Sequence, residues 1–471
     1  MEKGKECMKP AINAIVMAAG KGTRMKSLDA TKSKVAFDLL GVPLVRHVLN
    51  ALKPMNIDTV YSIVGHGGET TERIVKDDSV VVWQREQKGT GHAIMQVAPY
   101  LAGKQGTTLI VSGDTPLITT ASLQHLVDTH HEGNFDLTIL TSVVDDPFGY
   151  GRMVRTKDGK LTAIVEEINA TNEEKTIREI NTGFYVFNNE KLFRYLNELP
   201  PNPKNGELNI TFLVKMFIEQ GFHVGTDTVA SFEETLGTND RAQLAEARRI
   251  LQKRINHQHM VNGVTIENPD NTFISPQVTI GQDTVIQSGV YLIGDVSIGV
   301  GNLIGANSMI ENSTIGNRNV IESSKIIDSS LGDDNHVGPN AHLRGHTKIA
   351  NHCRIGNFVE LKNAVLHDSV KAAHLTYLGD CEIGEDTNIG CGTIIANYDG
   401  KTKHHTSIGQ HVFVGSGTTI ISPVTIADEV IIAAGSTINE NVEKRAMAIA
   451  RSKQTNKPGF YDHWMKKIGK K

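Results

Sequence analysis

Two rules of hydrophobic spacing divide this chain. Through the first half, short apolar runs alternate with stretches of helical spacing. Ala14–Ala18, Val60–Val64, Val80–Trp83 and Thr107–Val111 predict buried strands, and His92–Tyr100 predicts a helix. Strands alternating with helices predict a parallel sheet covered on both faces. From about Val264 an aliphatic residue recurs on every sixth position. Ile298-Gly299 leads to Ile304-Gly305, Ile383-Gly384 to Ile389-Gly390, and Ile408-Gly409 to Val414-Gly415, while Ile280, Ile315, Leu331 and Ile355 precede further glycines. This hexapeptide period predicts a parallel β-helix, with each aliphatic side chain pointing inward and stacking on the next coil. Between the two regimes, Leu244, Ala247, Leu251 and Ile255 recur at helix spacing within Asp240–His257. The expected division is residues 1–239, a helical connector at 240–260, and a repeat domain with its tail at 261–471.

Breaks in each pattern carry the candidate chemistry. The first strand runs into Ala19-Gly20-Lys21-Gly22-Thr23-Arg24-Met25. A glycine-rich turn after a strand lets backbone N–H groups approach a phosphate, and Lys21 and Arg24 add positive charge. Met25 stands where a dinucleotide fingerprint needs its third glycine, and the stretch is not a Walker A loop. Alone, it reads equally well as a plain tight turn. Thr107–Val111 ends in Ser112-Gly113-Asp114. In parallel sheets ligands bind beyond the carboxyl ends of strands, where an Asp either caps the next segment or helps hold Mg²⁺ on a phosphate substrate. In the repeat half, Lys371–Asp399 (KAAHLTYLGDCEIGEDTNIGCGTIIANYD) concentrates a histidine, a tyrosine and asparagines among residues that otherwise build a scaffold. Asn397–Ser407 then interrupts the period, and insertions in a solenoid map to loops on one face, often the binding face.

Composition narrows the class of protein further. The 471 residues are 39% hydrophobic and 21% charged, and 44 glycines against 5% aromatics suit tight turns and aliphatic ladders better than a large aromatic core. A net charge of −4 supplies no global field for nucleic acid or acidic membranes, so anionic substrates need local Lys and Arg. No run of about 18 apolar residues occurs, so membrane insertion is not expected. The N-terminal MEKGKECMKP has no apolar signal-peptide core. Cys7, Cys353, Cys381 and Cys391 form no CxxC pair, which predicts small buried hydrophobes in a reduced, cytoplasmic protein. Ser452–Lys471 is basic and leaves the repeat, and it is expected to be a solvated terminus packed by Trp464.

In this order, the motifs resemble the bacterial family of bifunctional N-acetylglucosamine-1-phosphate uridylyltransferases and glucosamine-1-phosphate acetyltransferases (GlmU). The likeness spans nearly the whole chain. It rests on AAGKGTRM at Ala18–Met25, GTGHA at Gly89–Ala93, DDPFGYGR at Asp145–Arg152 and EINTG at Glu179–Gly183. In the repeat half it rests on GNFVELK at Gly356–Lys362, KAAHLTYLGD at Lys371–Asp380, and NIGCGT with ANYDG through Gly400. The resemblance implies an α/β nucleotidyltransferase domain, Rossmann-like with a mostly parallel sheet, followed by a left-handed parallel β-helix. It implies acetyl transfer from acetyl-CoA to glucosamine 1-phosphate. Uridylyl transfer from UTP to N-acetylglucosamine 1-phosphate then releases pyrophosphate and feeds cell-envelope precursors such as peptidoglycan and lipopolysaccharide. It also implies a homotrimer with acetyl-transfer sites between subunits.

Residue roles follow from the same match. Met17, Ala18, Ala19 and Gly20 would hold the nucleotide by backbone groups, with Arg24 adding charge. Gln84, Gly89 and Thr90 would read the uracil, and Gly151, Glu166 and Asn181 would bind the sugar phosphate. Asp114 and Asn239 would hold Mg²⁺, a sparse pair that phosphate oxygens complete. In the second half, His374 is the implied general base, since imidazole titrates near working pH. Arg344 and Lys362 would bind the phosphate, and Tyr377 and Asn388 would orient the sugar. Cys391, Asn397, Tyr398, Ser416, Ala434 and Arg451 would line the acetyl-CoA site. Cys391 is not read as a nucleophile, because direct attack by the amine needs none.

One stretch departs from the family pattern. Where Pro-Lys-Val is usual, this chain has Ser33-Lys34-Val35 after a longer loop. Lys34 is the expected phosphate-neutralising lysine, with Lys32 as the alternative. Ser does not fix φ as Pro does, so the loop is expected to be less preorganised. Two competing readings fit parts of the chain. A different nucleotidylyltransferase, such as a glucose-1-phosphate adenylyltransferase, would not need His374, Tyr377 and the Asn397-Tyr398 pair together. A non-enzymatic solenoid with a decayed nucleotide domain would have no use for that polar array.

Overall fold

The computed structural model describes residues 11–29 and 31–470, so the N-terminal stretch with Cys7, Ala30 and Lys471 lie outside the described residues. The chain falls into two compact units, the first ending at Gln252 and the second beginning at Lys253. The expected connector is a helix, Arg241–Val261, which spans that division.

In the first unit, seven strands follow one sheet path. Their order is Val224–Thr228, Leu137–Val143, Glu179–Asn188, Thr107–Ser112, Ile12–Ala18, Thr59–Val64 and Val80–Trp83. All pair in parallel except Glu179–Asn188, which runs antiparallel to both neighbours. A hairpin of Gly151–Arg155 and Leu161–Val165 extends from that strand. Both faces of the sheet are covered. Ile15, Ile63 and Ile110 pack in one core, and Ala14, Val16, Leu109 and Val111 in the other. Burial on both sides explains why these strands read as continuous apolar runs rather than alternating ones. The helix expected at His92–Tyr100 divides into Thr90–Met95 and Ala98–Leu101. Pro99 is the second residue of the second piece; lacking an N–H, it could not have continued the first. The central strands matter most for function. Met17 stands beside Ser112 in register, so the glycine-rich turn and Asp114 leave the sheet together.

The second unit is a β-helix of strands mostly two or three residues long, each paired in parallel with the strand one coil on. Thr265–Ile266 pairs with Val285–Ile286, which pairs with Leu303–Ile304, and so on through Val320–Ile321, His336–Val337 and Arg354–Leu366. Ile266, Ile286, Ile304, Ile321, Val337 and Ile355 are all buried, forming one inward stack. Each such side chain contributes about 1.5–3 kcal/mol through its burial. A buried asparagine ladder ties successive coils. The Asn319 N–H donates to Asn302 Oδ1 at 2.8 Å, that of Asn335 to Asn319 Oδ1 at 2.9 Å, and that of Cys353 to Asn335 Oδ1 at 2.8 Å. The insertion lengthens one coil, since Asn388 finds its partner only at Phe413.

Two expectations need correction. Cys353 and Cys381 are buried, but Cys391 is exposed, because it sits on the outer side of a coil corner. The tail forms a helix, Phe460–Lys467, in which Trp464 remains 47% exposed with its ring tilted against that of Tyr461 at 6.1 Å, so it does not pack the terminus. Phe460, Tyr461 and Trp464 share one side of this eight-residue helix, yet all three stay exposed. Among the described residues, no helix is long and apolar enough to cross a membrane.

Candidate active sites

The carboxyl ends of the two central strands open into a cavity of about 510 Å³. Met17, Ala19, Gly20, Arg24, Lys34, Gln84, Gly89, Thr90, Asp114 and Asn239 all line it. Ala18 does not. Strand alternation turns its side chain into the opposite core, where it is 1% exposed, leaving only its backbone to serve a ligand.

Lys34 is held between two oxygens. Its Nζ pairs with the Asp114 carboxylate and donates to Asn239 Oδ1 at 3.0 Å. Lys32 instead places its ammonium 4.7 Å from the centre of the Phe37 ring, so Lys34 is the lysine at the site. Ser33 itself has a partner. It is fully buried, and its hydroxyl shares a 2.6 Å hydrogen bond with Thr71 Oγ1. Gly22 approaches closely on the other side. It has φ +61°, and a Cβ there would lie 2.6 Å from Lys34 Cβ.

Asp114 is set by its surroundings. Burial pushes its carboxyl up, but the Lys34 charge and hydrogen bond, with the Ser112 hydroxyl at 2.9 Å, hold it below its ordinary value. Thr238 donates to the Asp114 carbonyl from both N and Oγ1 at 2.9 Å, which ties the Asn239 segment to Asp114. An oxygen of Asp114 and one of Asn239 therefore converge on a single cationic group. A hard divalent cation takes such oxygens and completes its shell with phosphate and water, so the donor set fits one. Among the described residues no group of three or more His, Cys, Asp or Glu is placed to cage a metal with protein alone.

Gly151, Glu166 and Asn181 form a second group in this unit. Asn181 pairs opposite Gly151, and a Cβ on Gly151 would come 2.9 Å from Ile164 and 3.5 Å from Glu166 Oε2. Glu166 Oε1 accepts from Thr211 Oγ1 at 2.9 Å, and Asn181 Nδ2 donates to the Tyr185 hydroxyl at 2.7 Å. Burial raises the Glu166 carboxyl, the Thr211 hydroxyl opposes this, and the Glu207 charge adds to it. Glu207 itself lines the strand-end cavity, so the two groups adjoin. Glu207 and Asn209 escaped sequence reasoning. Gly91 N–H to Leu208 O at 2.7 Å and Leu208 N–H to Lys88 O at 2.8 Å hold their loop in place, long-range contacts with no local signal.

On the β-helix, the expected acetyl-CoA residues fall into a column. Lys371 pairs with Asn388, Asn388 with Phe413, and Phe413 with Ile431. Three positions beyond each, His374, Cys391, Ser416 and Ala434 occupy equivalent places on successive coils, all exposed. Arg451 closes the column, donating from Nη1 to Ala434 O at 2.9 Å. Asn397 donates to the Asp380 carboxylate, and Tyr398 donates from its hydroxyl to Gly400 O at 2.7 Å. The insertion turns on Asp399, whose carboxyl is held well below the usual range by the Thr402 N–H, His404 and the Lys401 N–H.

A cationic group lies on the two coils before that of His374. Arg344 pairs with Lys362 in register, and the Arg344 guanidinium is held by Glu360, whose strand partner is Tyr377. Lys403, from the insertion, reaches Lys362 and holds its ammonium below the ordinary value by a side-chain contact, with the Arg344 charge contributing. Cations pressed together in this way favour an anion between them. Lys403 was not singled out from sequence, since only the turn of the insertion brings it back to Lys362.

The fold and its two sites define a class, a nucleotidyltransferase unit carried on one chain with a hexapeptide acyltransferase. Residues 13–229 match the nucleotidyl transferase family, and residues 328–363 and 405–440 match the bacterial transferase hexapeptide family (six repeats). The Bifunctional protein GlmU of Listeria monocytogenes serotype 4b (strain CLIP80459) is 47% identical over 450 residues, covering 96% of this chain and 98% of its own. That of serotype 4a (strain HCC23) is 46% identical over the same span. The chain belongs to the GlmU family. It is a bifunctional enzyme of UDP-N-acetylglucosamine synthesis, with uridylyltransferase and acetyltransferase activities.

Proposed function

We propose that the sugar phosphate is acetylated on the β-helix and uridylylated at the strand-end cavity by the residues placed there. Arg344, Lys362 and Lys403 hold the phosphate of glucosamine 1-phosphate, while Tyr377 and Asn388 orient the ring. His374 takes a proton from the amine as its nitrogen attacks the thioester carbonyl of acetyl-CoA, the C–S bond breaks, and the thiol leaves. Cys391, Asn397, Tyr398, Ser416, Ala434 and Arg451 bind the donor.

At the cavity, the phosphate of N-acetylglucosamine 1-phosphate, held by Gly151, Glu166 and Asn181, attacks the α-phosphorus of UTP. The bond to the β-phosphate oxygen breaks and pyrophosphate leaves. Positioning and charge neutralisation dominate such a step. Gln84, Gly89 and Thr90 hold the base, the backbone at Met17–Gly20 and the charges of Arg24 and Lys34 meet the phosphates, and Asp114 with Asn239 holds the divalent cation, which we take to be Mg²⁺. That cation supplies charge neutralisation on the phosphates.

An exposed apolar column supports a homotrimer. Phe413, Ile431 and Met447 stack in register and are 53%, 48% and 59% exposed, and Asn388 heads the same column. A neighbouring copy that covers this column also borders the acetyl-transfer residues. The ordinary Cys usage and the absence of a membrane-crossing helix among the described residues support a cytoplasmic enzyme.

The observation that carries the proposal is the cationic group in which Arg344 and Lys362 stand on the two coils before that of His374 and Lys403 reaches Lys362. One incubation with glucosamine 1-phosphate, acetyl-CoA, UTP and Mg²⁺ tests it. N-acetylglucosamine 1-phosphate should appear first and UDP-N-acetylglucosamine second. Acetylation that survives removal of both His374 and Lys362 would overturn the assignment.

A further inference from the structure

Gln84 is buried, and its neighbours dictate which way its amide faces. Nε2 lies 3.2 Å from the carbonyl oxygen of Gly89 and 3.0 Å from Nδ1 of His92. A carbonyl oxygen only accepts, so the amide atom facing Gly89 is the NH₂ group. Nδ1 of His92 meets that same NH₂ at 3.0 Å and accepts from it; the Gln96 NH₂, which donates to the His92 carbonyl, stands farther off at 3.5 Å from the ring Nε2, so the closer contact places the ring proton on Nε2. Gly89 cannot yield, because its φ is +106° and a Cβ there would lie 2.6 Å from Leu208 O. Both hydrogens of the NH₂ are thus spent inside the protein. Oε1, which has no protein partner among the described residues, is the group Gln84 offers to the cavity it lines.

We propose that His92 is a positioning residue that sets the pyrimidine choice, by keeping the oxygen of the Gln84 amide toward the base. Uracil carries an N3–H that such an oxygen accepts. Cytosine carries a bare lone pair at N3, and two acceptors left facing each other in a buried site are penalised. The inference rests on the assignment of Gln84 to the base. Without His92 the amide keeps one internal hydrogen bond instead of two, and its NH₂ is free to swing toward the base.

The test compares kcat/KM for UTP and CTP, at fixed N-acetylglucosamine 1-phosphate, in the full chain and two variants. His92→Leu removes the acceptor, whereas His92→Asn returns an amide oxygen close to the position of Nδ1. His92→Leu should narrow the UTP-over-CTP ratio by about tenfold, chiefly through a higher KM for UTP. His92→Asn should restore most of the ratio, and both variants should keep acetyl transfer. Ring ¹⁵N NMR of the wild-type chain, with the His92 signal identified by its loss in His92→Asn, should show the Nε2–H tautomer. An Nδ1–H tautomer, or an unchanged nucleotide ratio in His92→Leu, overturns the role of His92 alone. A wild-type enzyme that uses CTP as readily as UTP overturns the base assignment of Gln84 and the inference with it. If His92→Leu loses its fold, the wild-type tautomer decides.

Discussion

At the scale of single residues, the two activities separate cleanly. Replacing His374 by Ala should lower acetyl transfer roughly a hundredfold to ten-thousandfold, because the amine then loses its proton acceptor. Uridylyl transfer, assayed on N-acetylglucosamine 1-phosphate, should be unchanged. Lys34→Ala gives the converse. Uridylyl transfer should fall roughly a hundredfold with the loss of one charge at the phosphates, while acetyl transfer keeps its rate. Equal loss of both activities in either variant would count against the assignment. Motif matches made these side chains legible in the sequence, but not their settings. Ser33 could be seen to replace a proline, yet the hydroxyl that partners it comes from Thr71, far along the chain. Lys32 and Lys34 could be told apart only once Phe37 and Asp114 were placed.

At the scale of elements, spacing showed more. The sixth-position rule identified the coils, because an inward aliphatic on each side of every coil leaves a period that no other packing demands. The asparagine ladder was hidden, since Asn302, Asn319 and Asn335 look like ordinary turn residues until the coils stack. Asn319→Leu would leave the Asn335 N–H and the Gly332 carbonyl without partners, at a cost of about 3 kcal/mol, to be read in the thermal unfolding of the second unit. In the first unit the direction of Glu179–Asn188 was equally hidden, because an apolar run states burial but not polarity. A pH effect belongs to the helix Thr120–Glu132. Burial, with the charge of His131 adding, lowers His130 from 6.5 to about 4. The unfolded chain therefore binds a proton that the folded chain refuses. Stability is intact above pH 6.5 and declines by up to about 3 kcal/mol as pH falls from 6.5 to 4. His130→Asn should make the unfolding midpoint of the first unit fall less steeply over that window.

At the scale of the whole molecule, the exposed apolar column predicts assembly. Phe413→Asp places a carboxylate in the middle of that column. Sedimentation should then show monomers, with acetyl transfer reduced and uridylyl transfer retained. A trimer with full acetyl transfer would dismiss the column as an interface. The β-helix has one further consequence. Each coil is braced by the coils before and after it, and the corner proposed to bind the donor runs along the stack to the final strand, Met447–Ala448, with Arg451 just past it. His374 stands in the middle of the stack, supported from both sides, whereas the far end of the corner is a loose thread. Gentle warming should therefore fray the grip on coenzyme A well before it disturbs the base, and amide exchange at Ala448 and Ala450 should quicken first.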